Sequence, residues 1–497
     1  ISPIRDDLMD ELNAHWIAPR PGTDVAIMLS LIHELIAKDL ADEVFLQTYC
    51  VGWPQLAAYI LGESDGVPKT AEWAGTIADV DPEQLRSLAH DLGTRRSLVN
   101  IAWGLQRADH GEQTWWALIA LGCAIGQVGL PGGGFGLGYG AVAAVGNGAT
   151  RRPFPALGRG PNPVDDFIPV SRIADMLLNP GTPFTYNGED RTYPHIELVY
   201  WCGGNPFHHH QDLNRLAHAW QQPATIIVNE PFWTGTARRA DIVFPATTPL
   251  ERKDIGGSPR EDFLFAMDPV IEPVGEARND YDIFAGLADR LGAGATFTEG
   301  RSADGWVQHL YSTYREQFPD SPSYDEFVNG GFIQHPESAA SRLVLYDAFR
   351  TDPDANPLPT PSGKIELFSE TLAGFEYDDC PPHPTFFEPH EWLGTTDGYP
   401  LHMISNQPST RLHSQLDHGV TSQERKIDGR EVVRIHPGDA ADRDLTTGDT
   451  VRVYNDRGTC FAGVLVTDRL RRGVVELPTG AWWDPLDPSD PASPCRH

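Results

Sequence analysis

Six stretches of this 497-residue chain combine residue types that can do chemistry: Pro21-Gly-Thr-Asp24, Trp103-Gly-Leu-Gln-Arg107, Cys202-Gly-Gly-Asn-Pro206, Asn229-Glu-Pro-Phe232, Leu250-Glu-Arg-Lys-Asp254, and Ser405-Asn-Gln-Pro-Ser-Thr-Arg411 with His413-Ser-Gln415 close behind. Each is polar and stands beside an apolar run. Backbone N–H groups at a helix start, as after Pro21-Gly-Thr, accept an anion or the polar edge of a ligand. Asp24 also reads as the cap of that helix. Two glycines at a strand exit, as after Cys202, permit close backbone approach to a ligand, or simply a tight turn. Arg252 suits a phosphate or carbonyl, and Asp282 suits a pair of purine or pterin N–H groups. A single cluster of this kind is an ordinary solvated loop. Their recurrence is what a long ligand crossing several strand ends requires.

Other chemistries fit less well. Gly62-Glu-Ser-Asp-Gly66 has the form of a nucleophile elbow, which needs a strand before it and a helix after it. Here Pro54 to Leu61 reads as a short helix and Val67-Pro-Lys69 as a turn. Asp109-His-Gly-Glu112 lacks the H-E-x-x-H pattern, and Gly132-Gly-Gly134 lacks the lysine of a phosphate loop. In His208-His-His-Gln-Asp212, consecutive side chains point in different directions, against one shared ion. The 6 cysteines are dispersed without a C-x-x-C pair, so neither a disulfide framework nor a zinc or iron-sulfur site is signalled.

The elements that must position these loops follow from hydrophobic patterning. Asp24 to Asp39 is apolar on nearly every face and predicts a helix buried between layers. A helix over Pro82 to Leu92, a strand covered on both faces over Ser97 to Trp103 and a helix over Gly111 to Gln127 give the alternation of a parallel sheet. The glycine-rich run Gly129 to Gly140 and the proline-rich segment Arg152 to Pro163 mark a boundary near residue 160. The alternation then repeats: strands Ile196 to Trp201, Thr225 to Val228 and Asp241 to Phe244, helices Asp212 to Trp220 and Asp280 to Leu291. A loop-rich tract from Pro319 to Pro384 closes this second unit. From Pro400 onward short strands alternate with turn tripeptides such as Pro437-Gly-Asp439, Thr447-Gly-Asp449 and Asp456-Arg-Gly458, the pattern of a compact barrel. The expected architecture is α/β: two doubly wound parallel-sheet domains, 1–160 and 161–385, then a β-barrel domain, 386–497.

The charge balance, 38 Lys and Arg against 69 Asp and Glu for a net −31, argues against nucleic acid or an anionic membrane as partner. No run of 18 apolar residues predicts a membrane span. The opening Ile1-Ser-Pro-Ile-Arg-Asp-Asp7 reads as a strand end rather than a targeting peptide, so the expected start lies inside a domain and the compartment is unread.

Eight blocks then fall in one order: Pro21 to Asp24, Trp103 to Trp116, Gly129 to Gly140, Cys202 to Asn214, Asn229 to Arg252, Arg278-Asn-Asp-Tyr-Asp282, Ser405 to Gln415 and Gly473 to Trp483. On these, essentially the whole chain resembles the dimethyl sulfoxide reductase family of molybdenum enzymes. The likeness is to its branch of dimethyl sulfoxide, trimethylamine N-oxide and biotin sulfoxide reductases. The resemblance implies two molybdopterin guanine dinucleotides carrying molybdenum, lying between two α/β domains and a six-stranded C-terminal barrel. It implies that Ser2, Gly22, Thr23, Asp24, Trp103, Gly104 and Arg107 hold one dinucleotide, and Asn205, His209, Asn229, Glu230, Arg252 and Asp282 the other. Ser405, Asn406, Gln407, Pro408, Arg411, His413, Ser414 and Gln415 would close over the pterins. His209 is thereby expected to be a cofactor partner rather than a metal ligand.

The implied reaction is oxygen-atom transfer from a small S-oxide or N-oxide, with electrons from a donor protein or reduced cofactor. The metal-ligating serine of this branch is expected upstream of Ile1, so no catalytic residue and no metal ligand is assigned here. Family chains continue beyond an element like Cys495-Arg-His497, so the barrel is expected to be incomplete and the isolated chain to show no turnover. Two other readings stay open: a related molybdopterin enzyme of formate or oxyanion chemistry, and a dinucleotide-binding module without redox activity.

Overall fold

The computed structural model describes residues 1–5, 12, 14–137, 152–164, 166–257, 262–335, 344–395, 398–487, 490 and 493–496. The end of the glycine-rich run, 138–140, and His497 lie outside them. In the first lobe, helix Asp24–Ala37 is buried on nearly every side. Helices Ala71–Ala78, Pro82–Thr94 and Gly111–Ala124 all pack against it. Buried Ala71, Ala74 and Ala78 let one of these approach closely. Asp81 caps Pro82–Thr94 by accepting from the Glu83 amide at 3.0 Å, with Pro82 in the first turn. Strand Leu98–Ile101 pairs in parallel with Gly134–Leu137. The patterning predicts cover on both faces. Instead the strand's burial alternates and Leu98 is exposed, as on a sheet with one packed face.

The second lobe carries three parallel strands, Leu198–Cys202, Thr225–Glu230 and Ile242–Pro245, neighbours in chain order. Helix Leu213–Ala219 connects the first pair. Phe207, Leu216, Trp220, Ile226 and Val228 form the core, joined by Trp483 and Cys495 from the far end of the chain. Trp483 stacks on Phe207 with ring centroids 5.2 Å apart.

The tract from Pro319 to Pro384, expected to be loop-rich with little periodicity, holds short elements. Helix Tyr324–Gly330 begins with a reciprocal Ser323/Glu326 capping box, and strand Phe332–Gln334 runs antiparallel to Phe263–Met267. Further on, Ile365–Glu366 pairs in parallel with Cys50–Val51, and Phe349, Ile365 and Leu367 enter the first lobe's core. Arg350 fastens this strap by donating to the carbonyls of Gly126 at 2.9 Å and Val128 at 2.7 Å. These pieces are too short for apolar periodicity to reveal.

The C-terminal sheet orders its strands His402–Ile404, Val474–Glu476, Val432–Ile435, Gly458–Val466, Thr450–Asn455. Parallel and antiparallel pairings mix within it. Against the expected six strands, the described residues supply five. Val433, Ile435, Ala440, Ala462, Val464 and Val475 form its core. No helix among the described residues is long and apolar enough to cross a membrane.

Candidate cofactor site

Because the second lobe's strands are parallel, the loops leaving Cys202, Glu230 and Pro245 share one edge, the edge at which open α/β sheets bind ligands. Asn205 is buried there. Its Oδ1 accepts from the Thr236 hydroxyl, and its Nδ2 has no hydrogen-bond partner among the described residues. Asn229 accepts from the Tyr200 hydroxyl at 3.1 Å and donates to Asp280 Oδ1 at 2.9 Å. Beside it Asn279 Oδ1 accepts from Thr247 Oγ1 at 2.8 Å, and the Thr247 carbonyl accepts from Arg252 Nη1 at 2.8 Å. These bonds tie the residues from Asn229 to Arg252 into one polar ridge. Glu230 is half-buried, and burial raises its carboxyl pKa against the opposing Phe232 amide and Thr234 hydroxyl. Asp282 is exposed. The carboxylate that meets Asn229 is that of Asp280, a residue sequence reasoning passed over although it opens helix Asp280–Arg290.

In the first lobe Thr23, not Asp24, occupies the cap position of helix Asp24–Ala37, and its hydroxyl donates backwards to the Arg20 carbonyl at 2.7 Å. Asp24 lies within the first turn. Burial raises its carboxyl pKa, partly offset by its own backbone hydrogen bond and the Ile1 ammonium. Gly22 has φ +79° and faces Pro389, 3.0 Å from where a Cβ would stand. Ser2 is held by its amide on the Ile17 carbonyl at 3.0 Å and by Trp16 Nε1 on its own carbonyl at 2.7 Å. Trp103–Arg107 forms a 3-10 turn. Trp103 is exposed, with its ring edge-on to Trp115 at 5.5 Å. Open space surrounds Gly104. Arg107 is exposed, and its guanidinium has no hydrogen bond or ion pair among the described residues.

The third loop leaves strand His402–Ile404 and is anchored by the Leu477 amide on Ile404 O at 3.0 Å and the Thr479 amide on Asn406 O at 2.9 Å. Asn406 Nδ2 donates to Glu476 at 2.7 Å while its buried Oδ1 is unpartnered among the described residues. Gln407 donates to the Arg411 carbonyl at 3.0 Å, with Ser405 exposed and Pro408 half-buried.

Arg411, expected to close over the ligand, is mostly engaged inside the protein: its side chain is 2% exposed and binds Glu431 at 2.7 Å and the Thr479 carbonyl at 3.1 Å. Only its Nε is unpartnered among the described residues. Asp417 lies 3.5 Å from Arg411 and 2.8 Å from buried Lys426. Burial alone would raise the Asp417 carboxyl pKa, but Lys426, the Trp482 amide and Arg411 together hold it below the usual range. The buried Ser414 accepts from Trp482 Nε1 at 2.7 Å through its carbonyl, and the Gln415 amide donates to Leu412 O at 3.0 Å. His413 has φ +51° and presses on Gly480, where a Cβ would stand 2.0 Å from the His413 carbonyl oxygen.

The loops of the second and C-terminal lobes meet at His209. Its ring stands perpendicular to that of His413 at 4.9 Å. Burial first, then His413, His210 and Arg107, lower its pKa and favour the neutral imidazole. The second and C-terminal lobes are thus in contact there, and the charge of Arg107 from the first lobe acts on the same imidazole. On the loops of these two lobes Asn205 Nδ2, Asn406 Oδ1, Arg411 Nε and His413 Nδ1 are all buried with no partner among the described residues. An orphaned buried polar atom costs about 1–3 kcal/mol, and native structures rarely tolerate several together. Such a set fits a ligand rich in phosphates and in heterocyclic donors and acceptors.

Comparison with known proteins gives that ligand a class. The model of the Molybdopterin oxidoreductase family matches residues 4–290 and that of the Molydopterin dinucleotide binding domain residues 401–493. Both indicate bis(molybdopterin guanine dinucleotide) with molybdenum. The chain is 49% identical over 496 residues to a biotin sulfoxide reductase of Cereibacter sphaeroides, covering 99% of this chain and 66% of that protein. It is 45% identical to a dimethyl sulfoxide/trimethylamine N-oxide reductase of the same organism, covering 99% and 62%. To a trimethylamine-N-oxide reductase of Haemophilus influenzae it is 43% identical, covering 98% and 61%. The chain therefore spans a little under two thirds of the length of these relatives. Acetylene hydratase from Pelobacter acetylenicus shares the fold, with TM-score 0.68 and 19% identity over 97% of this chain and 66% of that one. With over half its length under one family model, the chain belongs to the molybdopterin oxidoreductase family.

Proposed function

We propose that the protein containing this chain reduces a small S-oxide or N-oxide by oxygen-atom transfer, and that this chain supplies most of the cradle for two molybdopterin guanine dinucleotides. The unpartnered buried polar atoms on the loops of the second and C-terminal lobes, which touch at His209 and His413, carry the proposal. When bound, the cofactor supplies the two-electron redox chemistry; the protein binds it, orients it and excludes water.

In this reading Arg107, without a hydrogen bond or ion pair among the described residues, neutralises a phosphate, with Ser2, Gly22, Thr23, Asp24, Trp103 and Gly104 lining the same dinucleotide. Asn205 Nδ2 and neutral His209 offer hydrogen bonds to the second. Asn229, Glu230 and Arg252, with Asp280 and the outlying Asp282, form its polar ridge. Asn406 Oδ1, Arg411 Nε and His413 Nδ1 face the pterins, within the loop Ser405 to Gln415 that also contains Gln407, Pro408 and Ser414. The finer organisation belongs to the same reading: two doubly wound units, 1–160 and 161–385, and a six-stranded barrel, 386–497. Electrons would come from a donor protein or reduced cofactor.

The test is reductase activity of the full-length protein with a reduced viologen as donor and biotin sulfoxide, dimethyl sulfoxide and trimethylamine N-oxide as substrates. Turnover of at least one oxide is expected. Full molybdenum loading with no turnover of any would move the protein to another branch of the family.

A further inference from the structure

Asp109 and His110 follow the turn Trp103–Arg107, just before helix Gly111–Ala124, and their side chains meet His390, 281 positions beyond Asp109. One ring nitrogen from each histidine and one oxygen of the carboxylate lie within 4.8 Å of one another. Asp109 Oδ1 is 3.7 Å from His110 Nε2, and Asp109 Oδ2 is 2.8 Å from His390 Nδ1. Ligand atoms that share a zinc ion at about 2.0–2.2 Å stand no more than about 4.4 Å apart, so small side-chain rotations suffice.

We infer that Asp109, His110 and His390 form a binding site for one divalent transition ion of the zinc class, separate from the molybdopterin cradle. All three residues are oriented by contacts that do not involve an ion. The Asp109 carboxylate also accepts from the His390 amide at 3.0 Å. The His110 ring lies against Phe387, with centroids 4.7 Å apart and planes 25° off parallel, and faces the His390 ring at 6.3 Å and 13°. His110 itself is held at φ +52° as the residue preceding the helix, a backbone state uncommon outside glycine. Two imidazoles and one carboxylate suit zinc, nickel or copper rather than magnesium or calcium. His390 is 86% exposed and Asp109 39%, which leaves an entry path and room for water in the remaining coordination positions.

The ion would pin the strap around Pro389 and His390, which also packs on Gly22, to the turn carrying Trp103 and Arg107. It would thus brace two cofactor loops of the first lobe together.

The full-length protein, loaded with its cofactor and stripped of loosely bound metal, should bind one zinc ion in calorimetry, and cobalt in its place should give the intense visible absorption of a low-coordinate site. His390→Ala, at an exposed side chain, and Asp109→Asn should each weaken zinc binding at least tenfold and abolish the cobalt band. Affinity within threefold of the unaltered protein in both variants, or a cobalt spectrum no different from that of the hydrated ion, would overturn the inference.

Discussion

In the proposed cradle Arg107 and His209 give the clearest single-residue tests. An exposed guanidinium without a partner among the described residues contributes little to folding, whereas a charge-assisted bond to a phosphate is worth about 1.5–3 kcal/mol. Arg107→Ala should therefore lower the fraction of protein purified with molybdenum and pterin, measured by metal analysis and pterin fluorescence, while the melting temperature of the cofactor-free protein changes little. His209 has its pKa pushed below the ordinary 6.5. The unfolded chain then binds more protons than the folded one as pH falls through 6.5, so this residue subtracts stability below that pH and nothing above it. Thermal melts of the cofactor-free protein from pH 8 to 5 should show this loss, and His209→Gln should flatten it.

The residue types at the site were legible in the sequence because the polar loops follow apolar runs. The individual partners were not. That Asn229 binds Asp280 and that most of the Arg411 guanidinium is engaged inside the protein depend on side-chain direction, which the sequence does not print.

At the level of elements, the C-terminal loop rests on a buried quartet of Arg411, Asp417, Lys426 and Glu431, two positive and two negative charges. Removing one member leaves a buried charge uncompensated, which costs about 3–5 kcal/mol. Asp417→Asn should lose stability of that order in urea unfolding, and adding Lys426→Met should restore part of it. Asp417 also sets an acid limit: its depressed pKa gives stability that is present above the unfolded value and lost as pH falls through the folded one. Gly480 is a second fixed point: its φ is +90°, and the His413 carbonyl oxygen lies 2.0 Å from where a Cβ would stand, which leaves no room for a side chain. Gly480→Ala should reduce cofactor content more than Gly104→Ala, where space is open, as read by molybdenum per chain.

Long elements such as helix Asp24–Ala37 and the three strands of the second lobe were readable from periodicity within a residue or two. The strap through Phe349, Ile365 and Leu367 was not, because its two-residue strand and five-residue helix gain their stability from the first lobe rather than from local pattern.

Across the whole molecule, the termini join the lobes. Residues Pro3 and Arg5 hydrogen-bond to Arg471 and Arg469 at 2.9 and 2.8 Å, and Arg471 reaches the Ala18 carbonyl at 3.0 Å and Asp79 at 2.6 Å. At the far end, Arg239 of the second lobe lies 3.6 Å from the ring centroid of Trp483. These ties hold the lobes in a fixed convergence, so the proposed cradle would be a property of all three together. The same convergence makes the central claim directly measurable. Quantitative analysis of the full-length protein, purified under non-denaturing conditions, should find one molybdenum and two guanine nucleotides per chain. Trace molybdenum with no guanine nucleotide would contradict it.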